Sequence, residues 1–358
     1  MDLEQKAEKL IKEYNMIDCG DNVLVAFSGG GDSSALLFFL INYIDYLNGD
    51  KKDKKNKIFA AHMNHMIRGE DADNDEKFAV EICEKYNVKI FTEHKNIPEI
   101  AKESKKSIEE AARDERYDFF RRVTQSIGGN VKIATAHTAS DNAETVIFNL
   151  SRGCGLNGLA GIAPVKKNII RPFLSCSKED ILGYCEKNNI SYVEDRTNSD
   201  ENYTRNFIRH NIASRLKEKF NNLDENIFKT TEIIRDNSDF LDSCAGDMLK
   251  DCANKSNKSD GIDIDSLLTS HKALRCAVIT KLYENAVFPD IKKLEFRHIL
   301  YIEELLYNCA TPRLRHPLSK GGFSEKSIDL PGFVTARIIK NRLVFEKAEN
   351  KKTSRRRK

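Results

Sequence analysis

Apolar and polar positions over residues 20–150 alternate between short apolar runs and longer stretches with helical spacing. Short apolar runs predict buried strands, and apolar positions that recur every three or four residues predict helices. The short runs predict strands at 23–27, 58–62, 88–92 and 131–136. The longer stretches predict helices at 34–47, 73–86, 107–127 and 140–150.

Strands that alternate with helices indicate a parallel sheet covered by helices on both faces. We therefore predict an α/β fold, with a doubly wound nucleotide-binding catalytic domain over residues 1–216. From about residue 224 the pattern changes to long helical stretches, followed by short strand candidates (225–249, 270–285, 292–306, 333–339, 343–346). This predicts a mainly helical second domain with a small β element at 217–346. The basic segment 347–358 is expected to be a disordered tail.

The composition predicts a soluble cytoplasmic protein. The 358 residues are 40% hydrophobic, and no apolar run is long enough to cross a bilayer. Residues 1–14 are charged and lack the apolar segment of a signal peptide. The nine cysteines include no pair with the spacing of a thiolate metal site, so no metal held by protein ligands alone is expected.

Basic residues are unevenly distributed although the net charge is only +3. The segment 203–219 carries five arginines and lysines against one acid, and the tail from 347 is also strongly basic. A local basic surface on a nearly neutral protein favours a polyanionic partner that touches one face. For the tail alone, we prefer the interpretation as a disordered solubilising end.

A glycine-rich turn, Ser28-Gly29-Gly30-Gly31-Asp32-Ser33, lies between the first predicted strand and the first predicted helix. Such a turn lets backbone N–H groups approach a phosphate, and the helix N-terminus adds favourable partial charge. Asp32 is suited to cap the helix or to help position a cation. The turn lacks the lysine of a Walker loop, and Ser34 stands where the dinucleotide fingerprint has its third glycine.

Two further polar clusters follow the second and fourth predicted strands. The second strand ends at His62, and the fourth leads to His137, Asp141 and Glu144. Because the carboxyl ends of parallel strands meet at one edge of a sheet, these side chains are expected near the glycine-rich turn. Asp141 and Glu144 share a helix face and could bind an amine and take its proton. An acidic first turn that complements the helix dipole explains the same pair and stays open.

A charged helix at 107–127 carries Arg113 and Arg116 one turn apart. Two arginines at this spacing could clamp a phosphate. Charges on such a helix ordinarily form a solvated face, so the pattern alone does not decide between these interpretations.

The motifs occur in an order that resembles the tRNA(Ile)-lysidine synthetase family, whose members are ATP pyrophosphatases. The resemblance is strong over residues 20–215. It rests on the turn at Ser28, His62-x-Asn64-His65-x-x-Arg68, Glu109-Glu110-Ala111-Ala112-Arg113, Ala136-His137-Thr138, Asp141-x-x-Glu144-Thr145, Arg152-Gly153, Gly158-Leu159-x-Gly161-Ile162, Ile170-Arg171-Pro172-Phe173, Glu194-Asp195-x-x-Asn198 and Tyr203-x-Arg205-Asn206-x-Ile208-Arg209.

The resemblance implies the adenine nucleotide α-hydrolase-like fold and a specific reaction. ATP adenylates O2 of the wobble cytidine in a tRNA(Ile) with the anticodon CAU, and the amine of free L-lysine then displaces AMP to give lysidine. It implies ATP as co-substrate, Mg²⁺ on its phosphates, no membrane partner, and catalytic roles for Asp32, Asp141 and Arg113. Expected ATP contacts are Ser28, Gly29, Gly30, Gly31, Asp32, Ser33, His62, Arg113 and His137. Lysine would contact Asp141 and Glu144, and tRNA would contact Arg68, Arg152, Arg205 and Arg209.

Two departures from the family pattern stand out. Ser140 replaces the first of two aspartates that members often show, so Asp141 carries the predicted role. An Arg-Pro-Gly-Asp-Arg-like motif of a third domain is not found, so we expect a shorter form. A cytidine thiolase shares the loop but should have cysteine pairs, and an amidotransferase-coupled ligase needs an ammonia source. A non-catalytic nucleotide-binding RNA adaptor is a further alternative, and a homodimer stays open.

Overall fold

The structure, a computed structural model, describes residues 1–49, 55–67, 69–193, 204–255, 261–286, 294–309 and 327–347. Arg68, the motif around Asp195 and the tail from residue 348 lie outside the described residues. Residue contacts divide the chain into two compact units, Met1–Glu232 and Ile233–Lys358. The boundary falls within one long helix, Leu223–Lys255.

The first unit alternates helices and strands along most of its length. Its helices are α1 (Leu3–Glu13), α2 (Gly31–Asn48), α3 (Glu70–Lys85), α4 (Ile97–Ser104), α5 (Ile108–Ile127), α6 (Ala139–Arg152), α7 (Leu156–Leu159), α8 (Lys178–Lys187), α9 (Thr204–Phe207), a π-helical segment (Ile208–Ala213), α10 (Ser214–Lys219) and the start of α11 (Leu223–Lys255). Its strands are β1 (Asn22–Ala26), β2 (Lys57–Asn64), β3 (Lys89–His94), β4 (Val131–Ala134), β5 (Val165–Lys166) and β6 (Ile169–Ile170).

These strands form one sheet in the order β3-β2-β1-β4-β6-β5. Neighbouring strands from β3 to β6 are parallel, whereas β5 pairs antiparallel with β6. The strand β1 therefore lies between β2 and β4, and the carboxyl ends of all three point to the same edge. The predicted parallel α/β fold is confirmed.

The central strand shows why the sheet is covered on both faces. Side chains alternate across a strand, so neighbouring residues of β1 face opposite sides. Val23 and Val25 belong to a core that includes Leu36 and Leu40 of α2. Leu24 belongs to a second core with Phe119, Phe120 and Val123 of α5. All three β1 side chains are fully buried, which explains the continuous apolar run in the sequence.

The second unit combines helices with a small antiparallel sheet, as predicted for this region. Besides α11, its described elements are β7 (Ile262–Asp263), α12 (Ile264–Thr269), α13 (Lys272–Ala286), α14 (Phe296–Cys309), β8 (Ser327–Leu330), β9 (Val334–Ile339) and β10 (Arg342–Lys347). The sheet order is β7-β10-β9-β8. Lys347, which the sequence analysis placed in the tail, is the last residue of β10. No helix in the described parts of the chain is long and apolar enough to span a membrane.

Candidate active site

Hydrogen bonds between its own serines stabilise the glycine-rich turn after β1. The backbone N–H of Ser28 donates to Oγ of Ser33 at 3.2 Å, and the two hydroxyls lie 3.1 Å apart. Gly29 has φ +86°, a conformation that favours glycine. The helix α2 begins at Gly31, and Gly30 caps it without a side-chain hydrogen bond. N–H groups of the first turn of α2 thus lack a side-chain acceptor from the cap, which suits a phosphate.

His62, at the carboxyl end of β2, supports this turn from the neighbouring strand. Its ring is buried, and Nδ1 lies 3.0 Å from the carbonyl oxygen of Phe27, the residue before the turn. Because a carbonyl only accepts, Nδ1 carries the proton and Nε2 of the neutral ring is an acceptor. Burial lowers the pKa of His62, although the hydrogen bond to Phe27 opposes this shift. Its contact with ATP stays a prediction.

Asp141 lies in the first turn of α6, which follows β4 at the same edge of the sheet. One carboxylate oxygen, Oδ2, accepts from the backbone N–H of Thr138 at 2.9 Å, and Thr138 in turn caps the Asp141 N–H. The acidic first turn therefore does stabilise the helix, as the alternative explanation held. The other oxygen, Oδ1, points to arginines, so the residue takes part in both arrangements.

Arg205 and Arg209 meet Asp141 and Glu144 in one ion-pair cluster. Arg209 donates through Nε to Oε1 of Glu144 at 2.6 Å and through Nη2 to Oε2 at 3.1 Å. Both arginines reach Oδ1 of Asp141 at 3.4 Å, and Arg205 Nε lies 3.4 Å from Glu144 Oε2. The predicted lysine-binding acids and two predicted tRNA-binding arginines are therefore brought together, a contact that the sequence analysis did not foresee.

Charges around this cluster set the protonation of its members. Burial alone would raise the pKa of Asp141, but the arginine pair and the Thr138 N–H hold it below its ordinary value. Burial lowers the pKa of His137 to about 4, and Arg171, Arg205 and Arg113 add to this shift against the opposing charge of Asp141. Asp141 is therefore ionised and His137 neutral near pH 7.

Arg113 and Arg116 of α5 also lie near this edge, since the charge of Arg113 acts on His137 and Arg116 contacts His65 just beyond β2. The guanidinium of Arg113 lies 5.2 Å from the centroid of the Tyr117 ring, and Arg116 Nη2 lies 3.1 Å from Nε2 of His65. Both side chains are exposed. A guanidinium that stacks on an aromatic ring keeps its donors available for an anion, so the phosphate role predicted for Arg113 fits its surroundings.

Arg171 is a buried cation of the site to which the sequence analysis gave no role. It follows β6, is 5% exposed, and donates through Nη1 to the carbonyl oxygen of Ala163 at 2.6 Å. Within the described residues its buried Nε has no hydrogen-bond partner. Burial lowers its pKa, Arg113 adds to the shift, and Tyr117 opposes it. The only sequence signal was its place in the motif Ile170-Arg171-Pro172-Phe173.

Lys178 is the second residue that the sequence analysis missed. It is the first residue of α8, and its Nζ forms an ion pair with Oδ1 of Asp32 in the glycine-rich turn. Of the other predicted tRNA contacts, Arg152 ends α6 with its guanidinium 5.1 Å from the Phe148 ring centroid. Arg68 lies outside the described residues.

Two buried thiols of the first unit are poorly suited to sulfur transfer. The cysteines form no disulfide in the described parts of the chain, and burial raises the pKa of Cys83 and Cys176 to about 12. A thiol with so high a pKa is a poor nucleophile and a poor sulfur carrier. No group of three or more His, Cys, Asp or Glu side chains that could hold a metal occurs among the residues that the structure describes.

A phosphate loop at the start of α2, directly after the central strand of a parallel sheet and beside a second polar cluster on the same edge, is typical of an ATP-using PP-loop domain. The family model for the PP-loop domain matches residues 1–216. The chain is 34% identical over 349 residues to a tRNA(Ile)-lysidine synthase from Caldanaerobacter subterraneus subsp. tengcongensis, covering 97% of this chain and 70% of that protein. The chain belongs to the tRNA(Ile)-lysidine synthase family.

Two further relatives carry the same name. One from Clostridioides difficile is 34% identical over 312 residues, covering 86% of this chain and 66% of its own length. One from Thermotoga maritima is 39% identical over 235 residues, covering 66% of this chain and 55% of its own length. The chain thus spans between 55% and 70% of the three relatives.

A solved structure supports the fold independently. The U34-tRNA thiolase NcsA from Methanococcus maripaludis, described with its [4Fe-4S] cluster, matches with a TM-score of 0.52 and 20% identity. The match covers 65% of this chain and 78% of the thiolase chain. At this identity the likeness concerns the fold alone.

Proposed function

We propose that this protein ligates L-lysine to C2 of the wobble cytidine in a tRNA(Ile) with the anticodon CAU. ATP activates the cytidine, and AMP and pyrophosphate are released. The observation that carries the proposal is the placement of a phosphate loop and an acidic cluster on adjacent strands of one sheet edge. The loop follows β1, and the cluster with Asp141 and Glu144 follows β4, which pairs directly with β1.

The first chemical step requires positioning more than acid–base chemistry. The cytosine O2 attacks the α-phosphate, an O–P bond forms, and the bond between the α-phosphate and pyrophosphate breaks. The carbonyl oxygen is a weak nucleophile, so the phosphate must be held in line and its charge stabilised. The turn Ser28–Ser33 would hold the pyrophosphate, while Arg113 and the buried Arg171 supply positive charge near the reacting α-phosphate.

The second step joins the lysine side chain to the activated base. The ε-ammonium first loses one proton to water, and the neutral ε-nitrogen then attacks C2. A C–N bond forms, the C2–O bond breaks, AMP leaves with that oxygen, and the nitrogen gives up a second proton to water. Asp141 and Glu144 would bind the ε-ammonium, in place of part of their present contacts with Arg205 and Arg209. The low pKa of Asp141 makes it a stronger ligand for the ammonium than a base.

Asp32 fits the magnesium ion that accompanies ATP. Its carboxylate is part-exposed beside the turn, and one carboxylate together with phosphate oxygens and water is a common Mg²⁺ environment. When bound, the ion would neutralise phosphate charge. Asp32 would hold it there, and Ser28 and Ser33 would donate to the phosphate oxygens.

The proposal is tested with the purified chain, ATP, radiolabelled L-lysine and a tRNA(Ile) transcript that has the anticodon CAU. We expect equal amounts of lysine incorporation and AMP, and neither with a transcript whose wobble cytidine is replaced. Asp141→Asn should still bind tRNA but lose the product, whereas Glu81→Gln, an exposed change on α3, should behave as wild type. If the wild type neither transfers lysine nor forms AMP, the proposal is refuted. Full activity of Asp141→Asn would show that Asp141 has no role in the reaction.

A further inference from the structure

The phosphate loop carries a negative charge where it would hold a more negative ligand. Asp32 is the only charged residue between Ser28 and Ser33, and its side chain is 32% exposed. A carboxylate beside a triphosphate is unfavourable unless cations stand between them. The Walker loop solves this problem with its own lysine, and this loop has none.

A lysine from another part of the chain supplies a positive charge beside this loop. Lys178, 146 residues further along, forms an ion pair with Asp32. Its side chain is 46% exposed, so its ammonium can leave the carboxylate without crossing a packed core. An ion pair with this exposure contributes only about 0–1 kcal/mol to stability, so the fold does not depend on it.

The backbone that carries Lys178 is fixed against the loop at several points. Ser177 caps α8, accepting from the Asp180 N–H at 3.1 Å, so Lys178 stands at a defined helix start. Near the other end of α8, the Cys185 thiol lies 3.8 Å from the carbonyl oxygen of Gly31. Beyond the helix, the N–H of Val193 donates to Gly29 at 3.0 Å. The whole segment is thus built onto the glycine-rich turn.

The Tyr192 ring completes this attachment. A Cβ placed on Gly31 would lie 3.5 Å from that ring, in ordinary contact, so the ring packs closely on the start of α2. The backbone of Lys178 is therefore held in a fixed position, while its flexible side chain can move the ammonium group between neighbouring anions. This is the arrangement by which lysine, a compact point charge, binds phosphate.

We propose that Lys178 is a ligand of the β- and γ-phosphates and of the pyrophosphate that leaves. On ATP binding its ammonium exchanges Asp32 for phosphate oxygens, and the Asp32 carboxylate becomes available to the magnesium ion. The inference rests on the proposed function, because it assumes that ATP is split into AMP and pyrophosphate at this loop. It adds a residue from α8 to the nucleotide site.

The test measures the binding of pyrophosphate and of AMP by calorimetry, with and without Mg²⁺, to the full chain. Lys178→Ala should weaken pyrophosphate binding roughly 10- to 100-fold, the range expected for a lost hydrogen bond to a charged group, and AMP binding at most about threefold. Lys178→Arg should recover most of the affinity. Lys187→Ala, an exposed position at the end of the same helix, should bind both ligands as wild type.

Two results would overturn the inference. Unchanged pyrophosphate binding in Lys178→Ala, including the case in which only Mg²⁺ binds more tightly, would make Lys178 a mere counter-ion of Asp32. Equal loss of AMP and pyrophosphate would indicate a general disturbance of the site. Neither binding measurement needs tRNA or lysine, so the two proposals can fail separately. If Lys178→Ala loses pyrophosphate binding selectively but the wild type transfers no lysine, the proposed reaction is refuted and Lys178 remains a pyrophosphate ligand.

Discussion

The cluster of two acids and two arginines makes a sharp prediction for Glu144→Gln. The Glu144 side chain is 4% exposed and accepts three contacts, at 2.6 and 3.1 Å from Arg209 and at 3.4 Å from Arg205. Glutamine keeps the shape but has one acceptor oxygen, and its NH₂ group faces an arginine donor. The variant therefore removes a negative charge and places the glutamine NH₂ donor next to an arginine N–H donor.

The size of the effect follows from the exposure of the partners. Removing one member of a fully buried ion pair costs about 3–5 kcal/mol, and a hydrogen bond to a charged group contributes about 1.5–3 kcal/mol. Arg205 and Arg209 are 38% and 34% exposed, so water recovers part of the loss, and Asp141 remains beside both. We expect about 2 kcal/mol, which lowers the melting temperature of a unit this size by about 4–8 °C.

The assay compares thermal unfolding of wild type, Glu144→Gln and the exposed control Glu81→Gln, together with the kinetics of lysine transfer. Glu144→Gln should melt lower and should raise KM for lysine about 10-fold or more, because the ammonium loses one of its two carboxylates, while KM for ATP changes little. A variant that melts with the control would show that the ion-pair cluster does not form. An unchanged KM for lysine would show that Glu144 does not bind the substrate.

Two further predictions concern the same sheet edge. Gly161→Ala should destabilise the protein by about 2–4 kcal/mol in urea unfolding, since Gly161 has φ +65° and an added Cβ would lie 2.2 Å from Oδ1 of the fully buried Asn142. Gly155→Ala, which has open space around it, is the control, and equal stability of the two variants would refute the argument. His137 should make stability fall as the pH drops from 6.5 towards 4, because the unfolded chain binds a proton there and the folded protein does not, by up to about 1.4 kcal/mol per pH unit. Unfolding at pH 7 and pH 5 should show a smaller difference in His137→Gln, and the same difference in both proteins would contradict the assigned environment.

Local patterns in the sequence sufficed for the core of the fold. The four predicted strands and the helices after them appear as β1 to β4, α2, α3, α5 and α6, because each contains a short apolar run or apolar residues at helical spacing. The pair β5 and β6 was missed because two-residue strands leave no periodic signal. The helices α4 and α8 were missed as well, although Asn96 and Ser177 cap them in the usual way.

The sequence predicted only those parts of the site in which polar residues directly follow a predicted strand. The turn at Ser28, His62 and the pair Asp141–Glu144 each follow a predicted strand, so topology placed them on one edge. The ion pairs of Lys178 with Asp32 and of Arg209 with Glu144 join residues 146 and 65 positions apart. Such contacts depend on how α8 and the π-helical segment fold back, which no local pattern specifies.

Identification of the nucleoside at the wobble position after the reaction is the decisive experiment for lysidine formation. A tRNA(Ile) transcript with the anticodon CAU is incubated with the protein, ATP and L-lysine, digested to nucleosides and examined by mass spectrometry. We predict that lysidine replaces cytidine at the first anticodon position, and that omission of lysine leaves the cytidine unmodified. Thiocytidine, or unmodified cytidine with all substrates present, would contradict the proposed lysine transfer.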